Sequence, residues 1–335
     1  MEFFDNHRYL FGTATALFVL LTIVVAIMPA IHNQEHNKSL PGAEGLSEDA
    51  QRGKALYVAN GCVACHTQQV RNVDMDRVWG ARPSLAADYA DITRTDVWRN
   101  TATLMGTARI GPDLTDIGNR QPSLEWNLLH LYNPRTVVNA SIMPAYPWLF
   151  TTKEEPDESD VVVNVPEAFL KDPNKKVVAT QDALDLVSYL QSLKQTPLPD
   201  GSEPPAFLYE SDQNVALASD SGTELDGKAL YAANCQACHQ ENGEGLPGAF
   251  PPLKGSAIVT GDNLELYVDI IMNGFDARPE YGAMAAVGAN LGWTEHEVAA
   301  VINYERTAWG NGAPKVTPDE VRQVMDFINE KIANQ

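Results

Sequence analysis

Cysteine is scarce, with four residues in a chain of 335. Basic charge is scarce too: 24 Lys and Arg stand against 44 Asp and Glu, a net charge of −20. Such a balance repels nucleic-acid phosphates and excludes that class of partner. It leaves open a solvated acidic surface or the steering of a basic soluble protein. No βαβ pattern surrounds the cysteines, which argues against a thioredoxin-like dithiol. The cysteine pairs also lack the separation of roughly 15–20 residues that a zinc ribbon needs. One stretch without charge, Leu10 to Ile31, is long enough in helix, at roughly 33 Å, for a bilayer core. It exceeds the roughly 7–15 residues of a signal-peptide core, and its Met28-Pro29-Ala30 exit is a poor cleavage site, so a retained anchor is expected.

What is present is a repeat. Gly53-Lys-Ala-Leu-Tyr-Val-Ala-Asn-Gly-Cys62-Val-Ala-Cys65-His66 returns as Gly227-Lys-Ala-Leu-Tyr-Ala-Ala-Asn-Cys235-Gln-Ala-Cys238-His239. Each copy ends in C-x-x-C-H, the signature of covalent c-type haem attachment. The two thiols suit the two haem vinyl groups, and the adjacent histidine can reach the iron. Both motifs together use every cysteine. Two covalently bound haem c groups are therefore expected, and c-type attachment outside the cytoplasm puts the haem domains in the periplasm of a bacterial inner-membrane protein with a single span.

The length accommodates two domains plus extras. Ser47 caps a helix running up to the first motif, and Thr223-Glu-Leu-Asp226 has the form of a capping box before the second. Closing helices are predicted over 181–193 and from Thr294 to Arg306, with Thr294 and Glu297 as a capping box. A tail helix starts at Thr317-Pro318-Asp319-Glu320 and carries a stripe of Val321, Val324, Met325, Ile328 and Ile332, expected to pack on its own domain. The expected organisation is an anchor and spacer over 1–46, a first domain over 47–195 with an acidic insertion at 151–180, a linker over 196–222, and a second domain over 223–335.

Opening helix, C-x-x-C-H, long loop and closing helix resemble class I cytochromes c in both domains. The fold class is therefore all-α, with a single N-terminal transmembrane helix followed by two class I cytochrome c domains. The motifs make His66 and His239 proximal ligands. The resemblance implies that a proline carbonyl holds the other ring nitrogen of each, at Pro112 and Pro251. It also favours a late-loop methionine as distal ligand. Met143 is expected in the first domain over His130, with Met75 and Met105 read as packing residues. Met284 is expected in the second over Met272 and His296. Filled axial positions make the chain a carrier rather than a catalyst.

The first domain carries more: Gly61-Cys-Val-Ala-Cys-His-Thr-Gln68-Gln69-Val-Arg71, Gly111-Pro-Asp-Leu, His130-Leu-Tyr-Asn-Pro134-Arg135 and Ser141-Ile-Met-Pro-Ala-Tyr-Pro147-Trp148. Over roughly residues 1–195 this resembles the membrane-anchored monohaem cytochrome c subunit of cbb3-type cytochrome c oxidases. The resemblance implies a haem–copper catalytic subunit as partner, a soluble or membrane cytochrome as donor, and a second cytochrome domain fused behind the first. Arg71, Arg109 and Arg135 are candidates to offset haem propionate charge, with plain surface salt bridging as the alternative. Tyr146 and Trp148 are expected to pack a haem edge or a partner. The electron-input subunit of a nitric oxide reductase and a dihaem peroxidase are the competing functions.

Overall fold

The computed structural model describes residues 6–36, 38–90, 104–199, 201–208, 225–278 and 281–333. The start of the predicted Thr223–Asp226 capping box and much of the 196–222 linker lie outside the described residues. Contacts divide the chain into two compact units. One comprises residues 1–45, 85–93 and 196–203; the other comprises 46–84, 94–195 and 204–335 and holds both C-x-x-C-H motifs.

In the first unit, α1 (His7–Leu21), a π-helical stretch (Thr22–Ile27) and α2 (Met28–His36) run on as one rod. Its span His7–Asn33 is long and apolar enough to cross a membrane. Phe11, Phe18 and Val25 all point outward, and none of the span is buried by protein.

The second unit contains α3 (Glu48–Ala59), α4 (Ile117–Arg120), α5 (Leu124–Tyr132), α6 (Gln181–Ser192), α7 (Gly227–Asn234), α8 (Gln236–His239), α9 (Ala257–Thr260), α10 (Leu264–Asn273), α11 (Val287–Leu291), α12 (Glu295–Thr307) and α13 (Pro318–Ala333). The Ser47 hydroxyl accepts from Ala50 N at 3.2 Å, and Glu48 and Asp49 complement the exposed N–H groups of the α3 first turn. Asp226 does the same for α7, accepting from Lys228 N and Ala229 N. The Thr294/Glu297 box caps α12, and Thr317 and Glu320 cap α13 reciprocally.

The repeat owes its glycine to a helix crossing. α3 packs on α6, and a Cβ on Gly53 would enter the Asp185 carbonyl. α7 packs on α12, and a Cβ on Gly227 would enter the Ala300 carbonyl. Four residues on, one turn later, stand buried Tyr57 and Tyr231, edge-on to Tyr189 at 5.4 Å and tilted on Tyr304 at 5.3 Å. The copies differ in length by one residue. Gly61, at φ 72°, ends α3 in the left-handed region that favours glycine, whereas α7 passes through Cys235 directly into α8.

The insertion is not featureless. It folds as a three-stranded antiparallel sheet, order β1 (Phe150–Lys153), β3 (Lys176–Ala179), β2 (Val162–Val163). Phe150, Val163 and Val177 face the core around Leu128, Leu129 and Leu186, while Lys153 pairs with Asp157 and Asp160 at the solvent edge. Helices still build both motif regions. A second core forms around Tyr231, Val268, Val298 and Ile302, and α13 adds Val321 and Ile328 to it. The tail stripe thus packs on its own domain, with Phe327 left outside.

Candidate functional site

Each motif histidine is aimed by its second nitrogen. His66 Nδ1 lies 2.8 Å from the Pro112 carbonyl, and His239 Nδ1 lies 2.9 Å from the Pro251 carbonyl. A carbonyl only accepts, so each Nδ1 carries the proton and each Nε2 keeps its lone pair for a metal. Burial pushes both imidazoles toward the neutral form, partly opposed by these hydrogen bonds. That is the form a ligand needs.

The cysteines are equally telling. Burial pushes the Cys62 and Cys238 thiols up to about 11, and it pushes Cys235 well above its ordinary value too. A redox dithiol needs a stabilised thiolate, so these surroundings oppose that chemistry. Among the described residues no three His, Cys, Asp or Glu side chains gather to hold a metal on their own. A haem fits better, because its own nitrogens supply four of the donors.

Around the first motif, Gly111 lies so close to the His66 ring that a Cβ would collide with it. His130 stacks on Trp126 at 4.5 Å, and burial holds its pKa down to about 4, with His66 adding to the effect. Trp126 Nε1, His130 Nδ1 and Arg120 Nε are buried without a hydrogen-bond partner. A polar cofactor edge would satisfy such orphans, whereas a sealed core would not contain them. Met143 is half-buried, its N–H on Ser141 Oγ at 3.3 Å, and three residues on the Tyr146 hydroxyl reaches Cys62. Met75 and Met105 are exposed, not packing residues.

The residues after His66 explain their own spacing. Asp113, fully buried, accepts from Thr67 Oγ1 at 2.6 Å, Gln69 N at 2.8 Å and Thr115 N at 2.8 Å. It directly follows the Pro112 carbonyl, so it fixes the acceptor that orients His66. Gln68 pairs with the Tyr189 hydroxyl at 3.0 Å. Asp76, also fully buried, takes Arg71 Nε at 3.0 Å and Arg109 Nη1 at 2.5 Å. Burial pushes its carboxyl up, but the two guanidinium groups outweigh this and hold it below the ordinary range. Arg71 and Arg109 are therefore engaged in a salt bridge, while Arg135 sits half-buried after the Asn133 turn.

Around the second motif a cavity brings together Cys235, Cys238, His239, Pro251 and Met284, residues spread over fifty positions of sequence. Met284 is placed by a two-way backbone bridge to Phe275, at 2.8 and 3.1 Å. Met272 packs in the core and His296 is exposed. Gln240, next to His239, holds a positive φ of 62°, and its carbonyl accepts the Tyr231 hydroxyl at 2.6 Å. Two wall residues had no place in the sequence reading. Glu305 takes a hydrogen bond from the Tyr267 hydroxyl, and burial pushes its pKa up to about 7. Gln121 reaches in from the first motif's half of the chain.

A family model described as cytochrome C oxidase, mono-heme subunit/FixO matches residues 1–183, more than half of the chain. The chain belongs to this family. A cytochrome c family model matches residues 225–309. The chain is 32% identical over 152 residues to the cytochrome c subunit of alcohol dehydrogenase (quinone) from Gluconacetobacter polyoxogenes, covering 44% of this chain and 32% of that protein. It is 33% identical over 112 residues to cytochrome c-552 from Thermus thermophilus, covering 30% of this chain and 85% of that protein. The chain thus spans about a third of the length of the dehydrogenase subunit. It is an electron-transfer cytochrome c subunit of the FixO family, its cytochrome domains imply covalently bound haem c, and its apolar helix suits a membrane anchor.

Proposed function

We propose that the chain carries two haem c groups and is the dihaem electron-transfer subunit of a membrane haem–copper oxidase of the cbb3 type, with its haem domains in the periplasm. The observation that carries the two-haem reading is the pair of matching proximal geometries, His66 on Pro112 and His239 on Pro251. The oxidase assignment rests on the FixO match, which takes in the anchor. Bound haem supplies a one-electron iron couple. The chain supplies the rest. Cys62, Cys65, Cys235 and Cys238 would hold the macrocycles as thioethers, and His66 with Met143, and His239 with Met284, would hold the irons. Arg135, and Arg71 through the N–H groups that Asp76 leaves over, neutralise propionates. A cytochrome donor would deliver electrons to the domain of the second motif, and the domain of the first, which follows the anchor in sequence, would pass them to the catalytic subunit. The domain limits of 47–195 and 223–335 follow this division of labour.

A second reading, the cytochrome subunit of a quinone-linked dehydrogenase, is favoured by the similarity to the alcohol dehydrogenase subunit. Purification in mild detergent separates them. Co-purification of a haem–copper subunit with oxygen consumption is the expected result; a dehydrogenase as the sole companion overturns it. The ligand assignment has its own check. Met143→Ala and Met284→Ala should each open one haem to carbon monoxide, seen as a spectral shift absent from the parent.

A further inference from the structure

Gln121 belongs by sequence to the first motif's half, at the end of α4. Its backbone is locked there: its N–H donates to Ile117 O at 2.7 Å, and its carbonyl accepts Asn127 Nδ2 at 3.1 Å. Its side chain leaves that half. It lines the cavity of the second motif, and its Nε2 lies 3.6 Å from Cys238 Sγ. Cys238 itself packs against the first core, as does the proximal loop of the second motif through buried Ala249 and Phe250. Asn290 Nδ2 donates to Asn119 O at 3.0 Å, and Asn164 Nδ2 to Gly248 O at 3.1 Å, so the contact is held on several sides. The same short segment, 112–121, begins with the carbonyl that orients His66 and ends with the amide on Cys238.

We propose that Gln121 is a cofactor-site residue of the second haem, supplied by the first domain, whose amide N–H donates to the thioether sulfur of Cys238 and raises that haem's reduction potential. The inference rests on the two-haem reading above. A donor dipole aimed at the sulfur draws electron density from the macrocycle and favours the reduced state, the lever by which hydrogen bonds to sulfur tune other iron sites. It also makes the second site incomplete without the first domain, which holds the two sites in one fixed relation for exchange.

The test is redox titration of the full-length, haem-loaded chain in detergent, followed by optical absorption. Cys235→Ser/Cys238→Ser, which removes the second haem, identifies its transition. Gln121→Leu should lower that transition alone and leave the first unmoved. Asn164→Ala, which loosens the same contact away from the cavity, should move neither. If Gln121→Leu does not fold, Gln121→Asn, whose amide falls a methylene short of the sulfur, should give the same downward shift. Unmoved potentials, equal shifts of both haems, or the same shift from Asn164→Ala would overturn the proposal. Fewer than two haems per parent chain would instead bring down the reading beneath it.

Discussion

The two proximal loops reach the same end by different means. In the first, the carbonyl that holds His66 is followed by Asp113, which ties the loop to Thr67, Gln69 and Thr115 through three hydrogen bonds. In the second, the carbonyl that holds His239 is followed by Pro252, which has no acid and no N–H. Its support comes from Leu253 N and Lys254 N, both on Gly243 O, and from Ala249 and Phe250 sunk in the core of the other half. The histidine distances differ by only 0.1 Å, 2.8 against 2.9 Å. What repeats is the aiming of a histidine by a proline carbonyl; what differs is where the chain finds the rigidity. The first half is self-supporting, and the second leans on it.

That asymmetry can be broken most forcefully at Phe250. Truncating a fully buried phenylalanine costs about 3–5 kcal/mol. Phe250→Ala should therefore release the second loop and split unfolding into two calorimetric transitions, the lower one losing the absorption of the haem proposed at His239. Asp113→Ala should act on both halves. It strands the part-buried N–H groups of Gln69 and Thr115, at about 1–3 kcal/mol each, and should weaken the first half and with it the second that leans on it, lowering one shared transition without splitting it. A single cooperative transition in Phe250→Ala would show that the second half does not depend on this contact.

The buried acids differ in sign as well, though not cleanly by half, since burial also raises Asp116 in the first. In the first half, the Arg52 hydrogen bond holds Asp185 below its ordinary range, and the two arginines do the same for Asp76. Those carboxylates contribute stability above their unfolded pKa and lose it as pH falls. Glu305 is the opposite case: burial raises it from 4.5 to about 7, so the folded state binds a proton that the unfolded state has released. Its penalty is absent below pH 4.5, grows as pH rises, and is complete above about 7. At 1.36 kcal/mol per pKa unit this amounts to about 3 kcal/mol. Glu305→Gln keeps an acceptor for Tyr267 and removes the titration. In a series of melts from pH 4.5 to 8, the difference between parent and variant should open steadily up to pH 7 and then level off. A constant difference would mean that Glu305 is ionised in the folded protein.

How much of this was legible in the sequence follows from interaction range. Motifs, caps and closing helices are local, written within a turn or two, and they stand where Ser47, Thr294 and Thr317 put them. The small sheet was hidden because its strands have four, two and four residues, too short for an alternation to register. Glu305 reads as a surface charge beside Arg306 in the closing helix, since nothing local reveals that Tyr267 covers it. Asp113 offered a signal, an acid right after the proline, but two of its partners lie 44 and 46 residues away. Gln121 offered none, because its contact spans 117 positions.

The smallest difference between the halves lies at the helix starts. Ser47 caps α3 six residues ahead of the crossing glycine Gly53, so a frayed first turn leaves the α3–α6 contact intact. Asp226 caps α7 immediately before Gly227, the glycine that meets the Ala300 carbonyl. Fraying there reaches the crossing at once. Losing either cap costs the helix about 1 kcal/mol. Asp226→Ala should deliver that loss in full to the stability of the second half, while Ser47→Ala should lose only a fraction of it from the first. Hydrogen exchange is the sensitive probe. Asp226→Ala should speed exchange across both α7 and α12, whereas Ser47→Ala should speed it only in the first turn of α3. Equal spread in both variants would mean that the crossing glycines do not divide the helices into a frayed end and a held one.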